Sequence, residues 1–143
     1  MSPISPPRRR FLRLLAWCSG WTLLPRLARP DDDRLRQSLK ELTGGVEPAF
    51  HPGVGLRMPS RAVSRLAVPV RVNCRLRHVD MIALLVRDHP DPLAARFNLS
   101  PRTRPYIRTH LRILKDSEVI AVVRADGRYF RQSAKISVSE GCS

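Results

Sequence analysis

A cysteine at position 142, within the closing stretch "SEGCS", is the residue of this sequence best equipped for covalent chemistry. A thiolate is a strong nucleophile, and an exposed thiol oxidises readily, so a cysteine on a loose segment is a liability unless it has a task. Residues Ser139 to Ser143 are expected to project past the last strand as an arm, with a reach of about 10–15 Å at about 3.3–3.6 Å per residue. Gly141 supplies backbone freedom next to the thiol. An arm of this kind, made by Glu140, Gly141 and Ser143 around Cys142, can present a covalently attached group to an active site on another protein. Glu140 and the terminal carboxylate are both negative and favour the neutral thiol over the thiolate. Activation must then come from a partner, which suits a carrier better than a self-sufficient enzyme.

Two other readings of the cysteines stand beside this one. In an oxidising compartment Cys74 and Cys142 could close an internal disulfide, or Cys142 could be incidental. Cys74 itself follows a strand that alternates inward and outward, and reads as a small core or edge residue. Other chemistry is sparse. His51, His78, His89 and His110 are scattered without the short spacings of a zinc site, so no metal ligands are assigned. No glycine-rich phosphate loop is present, nor any hydrolase motif around a Ser or Cys. No cofactor and no catalytic residue are therefore expected.

The N-terminal region addresses the protein elsewhere. "PPRRRFLR" over Pro6–Arg13 is followed by an apolar run from Leu14 to Leu24 and then by "RPDDD". A basic stretch, a short apolar stretch and a polar boundary make a secretory signal, and this apolar core is too short to span a bilayer as a helix. Arg8, Arg9, Phe11 and Leu12 fit the twin-arginine export pattern, with Pro7 where Ser or Thr is usual. The expectation is export to the periplasm, cleavage near Ala28 despite Arg26 at the −3 position, and no stable membrane anchor. Cys18 follows Trp17 where lipid attachment wants a small residue, which argues against a lipoprotein. The alternative is a basic amphipathic helix belonging to the fold.

The 143 residues bound the rest to one modest domain, residues 29–138, with residues 139–143 as the arm. A hydrophobic content of 43% with 27% charged residues is ordinary for a globular chain. The net charge of +14, mostly arginine, is less ordinary and points to an acidic partner, a nucleic acid or an anionic substrate. Asp31–Asp33 ahead of Leu35, Leu39 and Leu42, with Gly44 and Gly45 as a stop, predict one short helix. Beyond it the period changes to two. "VPVRVN" sets Val68, Val70 and Val72 against Pro69, Arg71 and Asn73, a half-buried strand whose proline favours an edge. "MIALLVRD" from Met81 is a continuous apolar run and reads as a central strand, and Leu93–Leu99 as a short one. In "IRTHLRI", Ile107, Thr109, Leu111 and Ile113 face one way while Arg108, His110 and Arg112 form an outward basic stripe. Without interleaved aromatics or a DNA-binding motif, that stripe does not make a nucleic-acid module. Glu118–Arg124 and Phe130–Val138 flank Asp126-Gly127 as a hairpin. About seven short strands with frequent turns predict an all-β, immunoglobulin-like antiparallel β-sandwich with a short N-terminal helix and a flexible C-terminal tail.

Taken in order, the twin-arginine signal, "LRQSLKELTGG", "VPVRVN", "IALLVRDHPDPLAARFNLSP", "VIAVVRADGRYF" and a terminal Cys resemble the SoxY family, sulfur carriers of periplasmic thiosulfate oxidation. The resemblance covers Leu35 to Ser143. It implies covalent attachment of sulfur intermediates at Cys142 and pairing with a SoxZ-like sandwich subunit. It also implies visits from a haem cytochrome, a sulfate-releasing hydrolase and a sulfane dehydrogenase, with no haem or metal in the carrier itself. One departure stands out: the family tail resembles GGCGG, whereas this chain has Glu140-Gly141-Cys142-Ser143, which fits a divergent member serving another sulfur substrate or a dehydrogenase-associated pathway. The other class of function is an exported binding or assembly subunit with a structural cysteine.

Glu140→Gly removes a negative charge beside the thiol, so it is expected to raise the thiolate fraction and speed alkylation of Cys142 by iodoacetamide at neutral pH about two- to threefold. Peptide-resolved mass spectrometry of the alkylation time course checks this.

Overall fold

The computed structural model describes residues 29–139, so the export signal, including Arg8, Arg9, Phe11 and Leu12, and the arm residues Glu140, Gly141, Cys142 and Ser143 lie outside the described residues. The first described element is helix α1, Pro30–Thr43. Pro30 fits the first turn because its fixed φ is helical and its missing N–H has no partner to lose there. No side chain caps the start; Asp31, Asp32 and Asp33 instead set three negative charges in the first turn, against the positive end of the helix dipole. Gly44 ends the helix at φ 67°, and the Gly45 amide donates to the Lys40 carbonyl at 3.0 Å.

Nine strands follow among the described residues: β1 Ala49–Phe50, β2 Val54–Arg57, β3 Arg61–Ala62, β4 Val68–Cys74, β5 Val79–Val86, β6 Leu93–Asn98, β7 Tyr106–Leu111, β8 Ser117–Ala125 and β9 Arg128–Val138. The larger sheet runs β1-β9-β8-β5-β6, with β3 also beside β9, and the smaller runs β2-β4-β7. The two sheets form the expected immunoglobulin-like sandwich, with one short helix. Between them lie Val68, Val70 and Val72 of β4, Ile82, Leu84 and Val86 of β5, and Val119, Ala121 and Val123 of β8. The opposite face of the larger sheet is also dry. Met81, Ala83 and Leu85 with Ile120 and Val122 lie under Leu35, Leu39 and Leu42 of α1.

This second layer explains the unbroken apolar run of β5: both faces of the strand are covered, so alternation disappears. A bulge between Val79 and Met81 shifts the register against β8, so that Val79 and Ile82 both reach the inter-sheet core. Arg87 ties the layers at their end, donating to Asp32 of α1 at 2.9 Å and pairing with Glu118 of β8 at 2.8 Å. The β8–β9 hairpin turns through Asp126 and Gly127, at φ 51° and 72°, the left-handed pair that a two-residue connection needs.

Three expectations are corrected. The strand β4 is the centre of its sheet rather than an edge. Its proline is tolerated because the β2 ladder ends at Arg71, leaving Pro69 flanked only by His110 of β7. The sandwich is not wholly antiparallel, since β1 and β3 each pair with β9 in parallel. Strands β1 to β3 also raise the count above seven. The chain leaves α1, touches one end of the β9 edge, crosses to the small sheet as β2, and returns to the other end of β9 as β3. Short pieces at both ends of a long edge strand shorten the exposed template for unwanted pairing.

Because α1 is held by one apolar stripe, Leu35→Ala is expected to cost about 2–4 kcal/mol, read from the urea midpoint at unchanged slope.

Candidate functional site

The described residues reach the root of the arm. There β9 leaves the larger sheet between two supports. On one side β3 pairs in parallel, Arg61 with Ser137 and Ala62 with Val138. The Ser137 amide donates to the Ser60 carbonyl at 2.9 Å, and the Ser139 amide to the Ala62 carbonyl at 3.2 Å. On the other side the Val138 amide donates to Asp116 Oδ1 at 2.7 Å, a short bond to a carboxylate. The backbone is thus held through Ser139, three residues before Cys142.

The same end of the sandwich gathers the β3–β4 and β7–β8 connections, where the Ile113 amide donates to the Arg65 carbonyl at 2.8 Å. Val63, Leu66 and Leu114 in these connections are exposed. Arg61 and Arg112 are exposed there as well. The root is therefore ringed by apolar and basic side chains.

Cys74 sits at the other end. It closes β4 opposite Val54, and its amide donates to the Pro105 carbonyl at 2.9 Å. The neighbouring His51 meets Phe130 edge to face at 5.1 Å, at the start of β9 rather than its finish. Eight residues of β9 separate Phe130 from Val138, roughly 26 Å of strand. The three residues after Ser139 cover about 10 Å. A Cys74–Cys142 bridge within one folded chain would require β4 or β9 to leave its ladder. Burial pushes the Cys74 thiol up, and a backbone hydrogen bond at Leu76 only partly opposes it, so this sulfur is held neutral and is a poor nucleophile.

The four histidines remain apart. His51 Nδ1 accepts from the Gly53 amide at 2.9 Å, and His89 Nδ1 from the Asp91 amide at 3.1 Å. His78 occupies a left-handed turn position at φ 53°, and His110 is exposed on β7. Among the described residues no group of three or more His, Cys, Asp or Glu is placed to hold a metal ion. Arg108, His110 and Arg112 do face outward as a stripe. Sequence reading missed Asp116 and Ala62 as anchors, because each acts on residues far along the chain and carries no local motif.

The two sheets thus fasten the last strand through Val138 and Ser139, the point from which the sequence runs on to Cys142. The sequence pattern described as "Sulfur oxidation protein SoxY" matches residues 39–142, and the chain belongs to that family. Among solved structures, the sulfur carrier protein SoxY from Chlorobium limicola f thiosulfatophilum superposes with a TM-score of 0.70 at 21% identity, covering 76% of this chain and 94% of that one. A superoxide reductase (neelaredoxin) from Ignicoccus hospitalis shares the fold more distantly, with a TM-score of 0.55 at 15% identity over 60% of this chain and 80% of that one. No curated protein matches this chain in sequence.

Removing the Asp116 carboxylate with Asp116→Ala is expected to lower hydrogen-exchange protection at Val138 about tenfold, the worth of one exposed charge-assisted hydrogen bond. Protection across β5 and β8 should stay unchanged in the same exchange experiment.

Proposed function

We propose that this protein is a covalent sulfur carrier, with Cys142 as the attachment point on the Glu140–Ser143 arm. The observation that carries this reading is the extent of the family match, which runs through the anchored root and takes in Cys142 itself. The distance and burial of Cys74 add support, since among the described residues they leave Cys142 no cysteine within reach to pair with.

The chemistry divides the labour. Joining the sulfane sulfur of thiosulfate to the Cys142 thiol forms a sulfur–sulfur bond and releases one proton and two electrons. Those electrons have to leave the thiol as the bond forms, and a redox partner accepts them, the part assigned to a haem cytochrome. Hydrolysis by a second partner then releases the outer sulfone as sulfate, and a sulfane dehydrogenase oxidises what remains on the cysteine. The carrier contributes a fixed root and a removable cargo rather than a catalytic group. A SoxZ-like sandwich completes the carrier as a heterodimer, and the twin-arginine signal in residues 1–28 delivers it to the periplasm.

Intact-mass spectrometry of protein purified from thiosulfate-grown cells tests the proposal. Sulfur-bearing adducts that a reductant removes should map to Cys142, vanish in Cys142→Ser and persist in Cys74→Ser. Protein that is always bare during growth on thiosulfate, or a Cys74–Cys142 disulfide, would turn the assignment to a binding or assembly subunit with a structural cysteine.

A further inference from the structure

Among the described residues the carboxylates are sorted by sheet. From Pro48 to Val79 and again from Pro92 to Lys115 the sequence contains no Asp or Glu, yet these two stretches hold eleven arginines and a lysine. All three strands of the smaller sheet come from them. The carboxylates of the described residues lie instead on α1, on β5, on β8 and on the connections beside them, where most of the ion pairs form. Examples are Arg87 with Asp32 and Glu118, and Arg124 with Asp80 at 2.7 Å.

Register turns this segregation into a site. Arg57 of β2 stands directly across from Arg71 of β4, and Arg71 directly across from Arg108 of β7. Each is exposed, on the side of the sheet away from the core, because its neighbours Leu56, Val70, Val72 and Ile107 point inward. Three guanidinium groups therefore form one row across the sheet, at the strand spacing of about 4.8 Å. Among the described residues no carboxylate pairs with any of the three. Like charges placed directly opposite destabilise a sheet, so the row opposes the fold that displays it. The flanking positions keep the face open: His110 lies opposite Pro69 on one side, and Asn73 lies between Gly55 and Tyr106 on the other. The Asn73 side chain lies across Gly55, where a Cβ would collide with it.

We propose that this outer face of the smaller sheet is a docking surface for an acidic protein, with Arg57, Arg71 and Arg108 gripping carboxylates. The spacing of the row matches carboxylates on neighbouring strands, or those one turn apart on a helix, and each guanidinium can hold a carboxylate by two parallel hydrogen bonds. The row spans all three strands of the smaller sheet, so its ligand is a surface and not a small anion. Nucleic acid is disfavoured because Tyr106 is the one Phe, Tyr or Trp in the three strands, too few for a base-stacking platform even with the His110 ring beside it. A lipid surface would want large apolar side chains beside the charges, and Tyr106 is again the one candidate on this face. The inference does not depend on sulfur chemistry at Cys142.

The test uses the full chain and a glutamate decapeptide at low salt, with oligothymidylate and phosphatidylglycerol-containing vesicles as competing probes. Combining R57E, R71E and R108E should weaken peptide binding at least tenfold. A control combining R96E, R128E and K135E on the larger sheet, with the same change in net charge, should weaken it less than threefold. Should the glutamates disturb folding, the corresponding Arg→Gln set serves in their place. R71T alone should weaken peptide binding and raise the melting temperature by a few degrees, because it removes the middle charge of the row. Equal losses in row and control variants would reduce the face to unspecific charge. Tighter binding of oligothymidylate or vesicles, lost in the row variants, would overturn the acidic-protein assignment in favour of a phosphate ligand. An unchanged or lowered melting temperature in R71T would contradict the claim that the row opposes the fold.

Discussion

Everything in this protein is arranged around two strands that cannot face water on either side. β5 and β8 bury Met81, Ala83, Leu85, Ile120 and Val122 on one face and Ile82, Leu84, Val86, Val119, Ala121 and Val123 on the other. A sandwich alone covers just one of those faces. The helix is therefore a third layer demanded by the hydrophobic effect, not an ornament at the N-terminus, and Arg87 secures it where β5 runs out. Once both faces are sealed, function is left to the perimeter: the strand ends, the exposed small sheet and whatever the last strand carries beyond Ser139.

How much of this could be read in the sequence follows from how local each signal is. Helix α1 was legible from its leucine spacing and its Gly44-Gly45 stop, and the strands from β4 to β9 from alternation, apolar runs and the Asp126-Gly127 turn. The early strands were not, because β1 and β3 are two residues long and too short to show a period. Their existence is decided by β9, some 75–80 residues further on. The proline rule misled at Pro69 for a related reason: edge and centre are properties of each position along a strand, and β2 stops short of it. Cys142 announced itself by residue type, but the fastening of its root by Asp116 and Ala62 is a matter of tertiary placement that no spacing rule encodes.

Charge and fold are similarly separable. The excess of arginine was plain from composition, whereas the row it forms on the smaller sheet needed the register that sets Arg57, Arg71 and Arg108 in line. A coding bias toward arginine would raise the count everywhere. It would not by itself leave two long stretches without a single carboxylate while supplying partners to the arginines of the helix side.

The parallel pairing of β3 with the end of β9 also sets a clock. Ala62 waits for Val138, so this contact closes a loop of some 75 residues, and closures of that length come late compared with the hairpin formed by β8 and β9. On a chain made from its N-terminus, Val138 and Ser139 emerge some 75 residues after Ala62, and until they do Ala62 has no partner in the sheet. The anchored root is thus a report of completed folding. A molecule in which Ser139 is fastened to Ala62 is one whose sandwich has already closed, so order at that end of β9 separates finished copies from unfinished ones.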